Sequence, residues 1–237
     1  MVVEKEIYLA DAEKSFHFAV DVAWDQNRRH PELSRGQCLK ERSFLHTLLG
    51  TNQAPVFEQA CRLADSAAEK TEMNRLLPQV MEWMEKKYPP PDEHPGFEPG
   101  RCFRYALNQQ HYCYIHIYNA KRPESFLKFP EYVAENLRYI MDKAEKDDGC
   151  DTLYTATWLN SLPAFLRFFP EEWKRNLCDT GDFGPTMGWQ GQFINRFGLL
   201  HDGMAARFLQ TGVLPYARRE THCSFEAVRR HLLLQGW

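Results

Sequence analysis

Two histidines stand where the residue pattern gives them chemistry to do. The stretch His111-Tyr112-Cys113-Tyr114-Ile115-His116-Ile117-Tyr118-Asn119 alternates with period two and is rich in aromatic and β-branched residues, so it reads as a strand. Alternation places His116 on the face of Tyr112, Tyr114 and Tyr118, and His111 on the other with Cys113 and Ile115. The two rings therefore cannot easily share one metal. His116, close to the expected strand end, suits a general base or hydrogen-bond donor, because an imidazole exchanges its proton near neutral pH. Asn119 would orient the substrate. The competing expectation is a core histidine bonded to a backbone carbonyl. Cys113 would be a nucleophile only if a basic group lowered its pKa, and an inert core thiol is the simpler expectation.

The second histidine, His201, falls in Gly188–Gln210, which reads as one helix. Its apolar stripe takes Ile194, Phe197, Met204 and Phe208 at spacings of three and four. Gln190 and His201 lie on that stripe where a core helix would carry leucine. A buried polar group without a partner costs about 1–3 kcal/mol, so each needs a protein or ligand partner. Arg196 and Arg207 lie off the stripe and would reach an anionic group, surface duty being the simpler expectation. Trp158, at the end of a second strand, would line the same pocket, and Asn160 or Ser161 would cap the helix after it.

Asp147-Asp148-Gly149-Cys150-Asp151 spells D-D-x-x-D. This resembles the motif with which isoprenoid-diphosphate enzymes hold Mg²⁺ and a diphosphate, oxygen ligands suiting a hard cation. The resemblance covers those five positions, and no second acidic cluster follows downstream. An ordinary solvated helix exit looks the same. Mg²⁺ or another divalent metal on Asp147, Asp148 and Asp151 is accordingly a minor alternative; otherwise no cofactor is expected.

The elements that must position these residues divide at a seam. Residues 89–100, PPPDEHPGFEPG, hold five of the fourteen prolines, so neither helix nor strand continues through them. Residues 1–88 read as helical. Phe16, Ala19, Val20, Ala23 and Trp24 form one stripe after an Asp11 cap. Ser34 caps a second helix carrying Leu45, Leu48 and Leu49 and stopped by Gly50. A third stripe runs from Phe57 through Met84, broken at Pro78. Residues 101–237 read as an aromatic-rich α+β portion. There a strand over 109–119, a helix opened by Pro130 and a strand over 152–159 make a βαβ unit with parallel strands. Ser224 caps the last helix. The expected fold is mainly α with a small β element, packed as one body. An all-α protein is the alternative, with both strands as buried helix starts.

Composition bounds the function. Of 237 residues 43% are hydrophobic and 26% charged, and 32 aromatics give a core-forming chain rather than a disordered one. Lys and Arg number 29 against 32 Asp and Glu, too little positive charge for a general nucleic-acid binder. No apolar run is long enough for a membrane span. Seven widely spread cysteines without a C-x-x-C pair point to free thiols in a reducing cytoplasm. The sequence holds no G-x-G-x-x-G, Walker A, G-x-S-x-G or H-E-x-x-H motif. Residues 1–100 carry 12 basic and 17 acidic side chains, and 101–237 carry 17 and 15. The expectation is a small-molecule enzyme of transferase or hydrolase type, using His116 and His201 in an aromatic-lined pocket with Asn119, Trp158, Gln190 and Arg196. A non-catalytic ligand- or protein-binding helical protein is the alternative. Substrate and oligomeric state are left open.

Overall fold

The computed structural model describes residues 3–50, 53–88, 96–181 and 187–237. Residues 89–95 of the proline-rich seam lie outside them. The chain forms two compact units: a helical one from residues 2–90 with 182–215, and a sheet-containing one from residues 91–181 with 216–237.

In the helical unit the central element is α1 (Lys5–Arg29), whose Phe16, Ala19, Val20 and Ala23 are buried as the stripe predicts. Phe18 and Val22 are buried as well, because α1 meets partners on several sides. Each such aromatic or branched side chain contributes about 1.5–3 kcal/mol on burial. Asp11 is not a cap. Residues 5–10 already propagate the helix, and Asp11 sits inside α1 with its carboxylate free for another partner.

Ser34 does cap a helix, through a capping box with Gln37, but that helix, α2 (Arg35–Glu41), stops early. The Ser43 hydroxyl bonds to the Leu39 carbonyl, and a separate short helix, α3 (Leu45–Leu49), follows and ends at Gly50. Helix α4 (Ala54–Ser66) packs on α2 so closely that a Cβ on Gly36 would lie 2.5 Å from the Cys61 carbonyl oxygen. The Gly36 amide donates to Asp65 Oδ1 at 2.7 Å at this crossing. A 3-10 turn (Lys70–Leu76) leads into α5 (Leu77–Lys86), where Pro78 occupies the first turn and needs no amide.

The sheet unit holds, among the described residues, a five-stranded mixed sheet: β1 (Phe103–Leu107), β2 (Cys113–Ile117), β3 (Thr152–Thr157), β4 (Cys178–Asp179) and β5 (Arg219–Ser224), in the order β1-β2-β3-β5-β4. Strands β2 and β3 are parallel, joined by α6 (Pro130–Asp148), as the βαβ reading requires; the other pairs are antiparallel. The sheet excludes the all-α alternative. One sheet face, with Cys113, Ile115, Leu153 and Cys223, joins a core containing Val133, Leu137, Ile140 and Met141 of α6. Short helices α7 (Pro163–Leu166) and α8 (Glu171–Arg175) bring Phe165, Phe168, Phe169 and Trp173 into the same core, where the last two rings stack at 4.2 Å.

Both predicted strands are shorter than their aromatic runs. Residues 108–112 form a turn held by Asn108, whose Oδ1 accepts the Gln110 and Tyr112 amides. His111 therefore lies in that turn, at φ 62°, not on a strand face beside Cys113. After β3 the chain winds into a 3-10 turn (Trp158–Ser161) capped by Thr157. That turn takes up Asn160 and Ser161, so α7 starts after Leu162 with no side-chain cap. Asn160 is fully buried; its amide donates to the Arg219 carbonyl at 2.8 Å and its oxygen accepts from Trp173 Nε1 at 3.3 Å.

The expected helix over 188–210 is not continuous. Helix α9 (Met187–Gln190) runs into a 3-10 turn (Gly191–Phe193), then a tight loop closed by an Ile194–Leu200 bridge, then α10 (Asp202–Thr211). Asn195 builds the loop: its side-chain oxygen accepts the Phe197 and Leu199 amides at 2.9 and 3.2 Å. Gly198 takes φ 86°, which a side chain would resist. Residues 182–186 of the preceding glycine-punctuated segment lie outside the described residues. Helix α11 (Phe225–Leu234) closes the chain, capped by Ser224 as expected.

Candidate functional site

The helical unit contains a half-enclosed cavity of about 180 Å³. Helix α1 gives it Tyr8, Asp11, Ala12 and Ser15, at i, i+3, i+4 and i+7, so a single helix face forms one wall. Phe44, which precedes α3, forms a second wall with Thr47 and Leu48 of α3 by the same spacing, and Met84 of α5 a third. Gln190, Phe193, Ile194 and Gly198 close it from the 187–200 segment.

Gln190 is the polar residue that the wall does not satisfy. Its side chain is 3% exposed, and Oε1 accepts a 3.3 Å hydrogen bond from the Thr47 hydroxyl. Its Nε2 is buried and has no hydrogen-bond partner among the described residues. Buried amide donors are nearly always paired, so this orphan in a wall residue is an unusual feature of the site.

Asp11 lies one wall away. Its Oδ1 accepts the Leu200 amide at 2.8 Å, tying the 194–200 loop to α1. Burial pushes its carboxyl above the usual carboxylate range and outweighs the Leu200 hydrogen bond and the Lys14 charge that favour ionisation; the Asp202 charge pushes the same way as burial. Tyr8, whose ring lies 5.6 Å from that of Tyr88, is also raised, by burial first and by the Asp11 charge second. The cavity thus offers an apolar body and a carboxyl group, with the buried Gln190 amide in its wall.

Of the site residues predicted from sequence, Gln190 alone is among the described residues lining this cavity. His201 is exposed and caps α10, its Nδ1 accepting the Met204 amide at 3.4 Å. The break after Phe193 takes it off the stripe on which it was expected. Arg196 is exposed, with its guanidinium 4.7 Å from the Phe197 ring centre. The other predicted residues belong to the sheet unit. His116 is half-buried on the sheet face away from the core of that unit, opposite Arg104 on β1 and 4.6 Å from the Tyr114 ring. Burial, helped by the Arg104 charge, lowers its pKa and keeps it neutral at pH 7. Asn119 spends its amide on a loop, accepting the Lys121 and Phe126 amides and donating to the Glu124 carbonyl. Trp158 stacks on Tyr216 at 5.6 Å. Burial pushes the Cys113 thiol up to about 12, which leaves it protonated and unreactive.

Asp148 accepts from the Tyr105 hydroxyl at 2.6 Å, and Asp151 from Thr152 at 2.7 Å. Among the described residues, no three His, Cys, Asp or Glu side chains, those of Asp147, Asp148 and Asp151 included, converge as a metal-binding group. No helix among them is long and apolar enough to cross a membrane. All seven cysteines are free thiols.

Sequence reasoning missed Tyr8, Asp11, Ser15 and Thr47. The available signal was the run of polar positions Asp11 and Ser15 on the face that also carries Tyr8 and Ala12. Comparison with protein-family models, with curated proteins and with solved structures yields no match to this chain.

Proposed function

We propose that this chain binds a small, largely apolar molecule bearing an oxygen acceptor in the cavity of its helical unit. The observation that carries this is the largely apolar cavity whose wall includes Gln190, a buried amide with no Nε2 partner among the described residues. A small shift of that side chain would let a ligand oxygen accept from it. Size supports it, since an apolar cavity of about 150 Å³ holds benzene. A ring with two or three further heavy atoms fits the 180 Å³ here.

The reading as an enzyme in which His116 and His201 share one site has less support: His201 is an exposed cap and His116 lies on the sheet. Ligand binding is the function the cavity favours, and the free thiols are consistent with a cytoplasmic setting.

A thermal-shift titration with benzyl alcohol tests the proposal. At ten times its dissociation constant, a ligand selective for the fold adds about 1.4 kcal/mol. For a chain of this length that is about 3–6 °C in Tm. Leu48→Trp, which fills the cavity from its wall, should abolish the shift. Equal shifts in both proteins would place binding elsewhere and end the proposal.

A further inference from the structure

We infer that the molecule this cavity selects is a small organic cation, an amine whose ammonium group meets Asp11 while its apolar body lies among Tyr8, Phe44 and Phe193. The inference rests on the cavity being a binding site and adds the charge of what binds. Among the described lining residues, Asp11 is the only one that carries a charge at neutral pH; no Lys, Arg or His faces the space. One Asp11 oxygen is taken by the Leu200 amide, and the second has no hydrogen bond from a described residue. The nearest cation along the helix, Lys14, is exposed and engaged with Asp202 at 3.1 Å. The half-buried carboxylate therefore lacks a counter-charge on the cavity side.

An anionic ligand would meet like-charge repulsion in a partly desolvated space, where screening is weak. A neutral ligand would leave the Asp11 charge without a partner. An ammonium group satisfies it, and the aromatic residues Tyr8, Phe44 and Phe193 in the wall supply apolar surface and, where a ring face meets the ammonium, cation–π attraction. An amine that also carries a hydroxyl or carbonyl oxygen fills the Gln190 position too. Amino alcohols built on one ring are the class that uses both groups.

The test uses three near-isosteric probes on the full chain: benzylamine, benzyl alcohol and benzoate, with affinities from calorimetry at pH 7. Benzylamine should bind at least fivefold more tightly than benzyl alcohol, and benzoate more weakly than either. Asp11→Asn, whose amide oxygen still accepts the Leu200 amide, should abolish the benzylamine-to-benzyl alcohol preference, a fall of at least fivefold. The probe series on the unaltered protein stands whether or not the variant folds. Benzyl alcohol binding as well as benzylamine, both lost in Leu48→Trp, would overturn the amine assignment and leave the cavity reading standing. No binding by any probe would overturn both.

Discussion

Gln190→Met changes the cavity wall with the least disturbance of shape, and its effect on stability follows from the bonding of one side chain. Glutamine at this position holds one weak hydrogen bond, the 3.3 Å contact to the exposed Thr47 hydroxyl. Such a neutral bond contributes about 0.5–1.5 kcal/mol. Against it stands the buried Nε2 without a partner, which costs about 1–3 kcal/mol. Methionine has a similar length, carries no donor and fills apolar space readily. The ligand-free variant should therefore be more stable than the wild type, by about 1 kcal/mol. For a chain of this size that is a rise of about 2–4 °C in Tm. The same variant should bind benzyl alcohol about threefold to tenfold more weakly, the loss of one neutral hydrogen bond to the ligand. Denaturant melts and calorimetric titrations of both proteins read the two effects. A stabilised protein that binds worse is the signature of a residue retained for a ligand at some cost to the fold. If Gln190→Met instead loses more than about 1 kcal/mol, the amide was satisfied within the fold and the reasoning fails.

Three further outcomes follow from the structure. Asn160→Ala removes the groups that hold the Arg219 carbonyl and the Trp173 ring nitrogen in a fully buried place, and should destabilise by about 2–4 kcal/mol in denaturant melts. Gly36→Ala drives a methyl group against the Cys61 carbonyl and the Asp65 carboxylate at the α2–α4 crossing, and should cost about 1–3 kcal/mol in the same assay. Asp11 has a carboxyl pKa raised by burial, in the company of Tyr8, Lys14 and Asp202, so its ionised form costs stability at neutral pH. That cost is fully present above the raised pKa and disappears as pH falls through it toward the ordinary carboxylate value. Asp11→Asn should therefore be more stable than the wild type at pH 7 without ligand, with the gap closing in melts at acid pH.

Local patterns carried much of the fold. The stripe on α1, the Ser34 and Ser224 caps, Pro130 at the start of α6 and the parallel pair of strands all follow from interactions within a few residues or from a repeating period. The short strands were harder to see. In β1, Phe-Arg-Tyr-Ala-Leu is too brief to show a period, and β5, Arg-Glu-Thr-His-Cys-Ser, is too polar to read as strand. Its buried positions, Thr221 and Cys223, show only once β3 lies beside it.

The site was legible in one residue. Gln190 stood out as polar on an apolar stripe, and it is indeed buried, although the stripe belongs to a helix that breaks three residues later. His201 stood out by the same pattern and proves to be a cap, because the Asn195 loop resets the helix phase. Asp11 looked like a helix start, since nothing near it in sequence points to Leu200, its partner 189 residues away. The aromatic surplus of residues 101–200, 19 of the 32, suggested a pocket there. Much of it instead fills the core around Trp173, where Phe165, Phe168 and Phe169 are buried. Walls assembled from four separate segments leave no local signature.

The side-chain amide signal of Gln190 in a ¹H–¹⁵N spectrum reports on the cavity at the atom concerned, and its absence from Gln190→Met identifies it. Titrated with benzyl alcohol, the Nε2 protons should move downfield and saturate together with the thermal stabilisation, as an orphan donor gains its acceptor. A signal that stays fixed while the protein is saturated by the probe would contradict the cavity as the binding site.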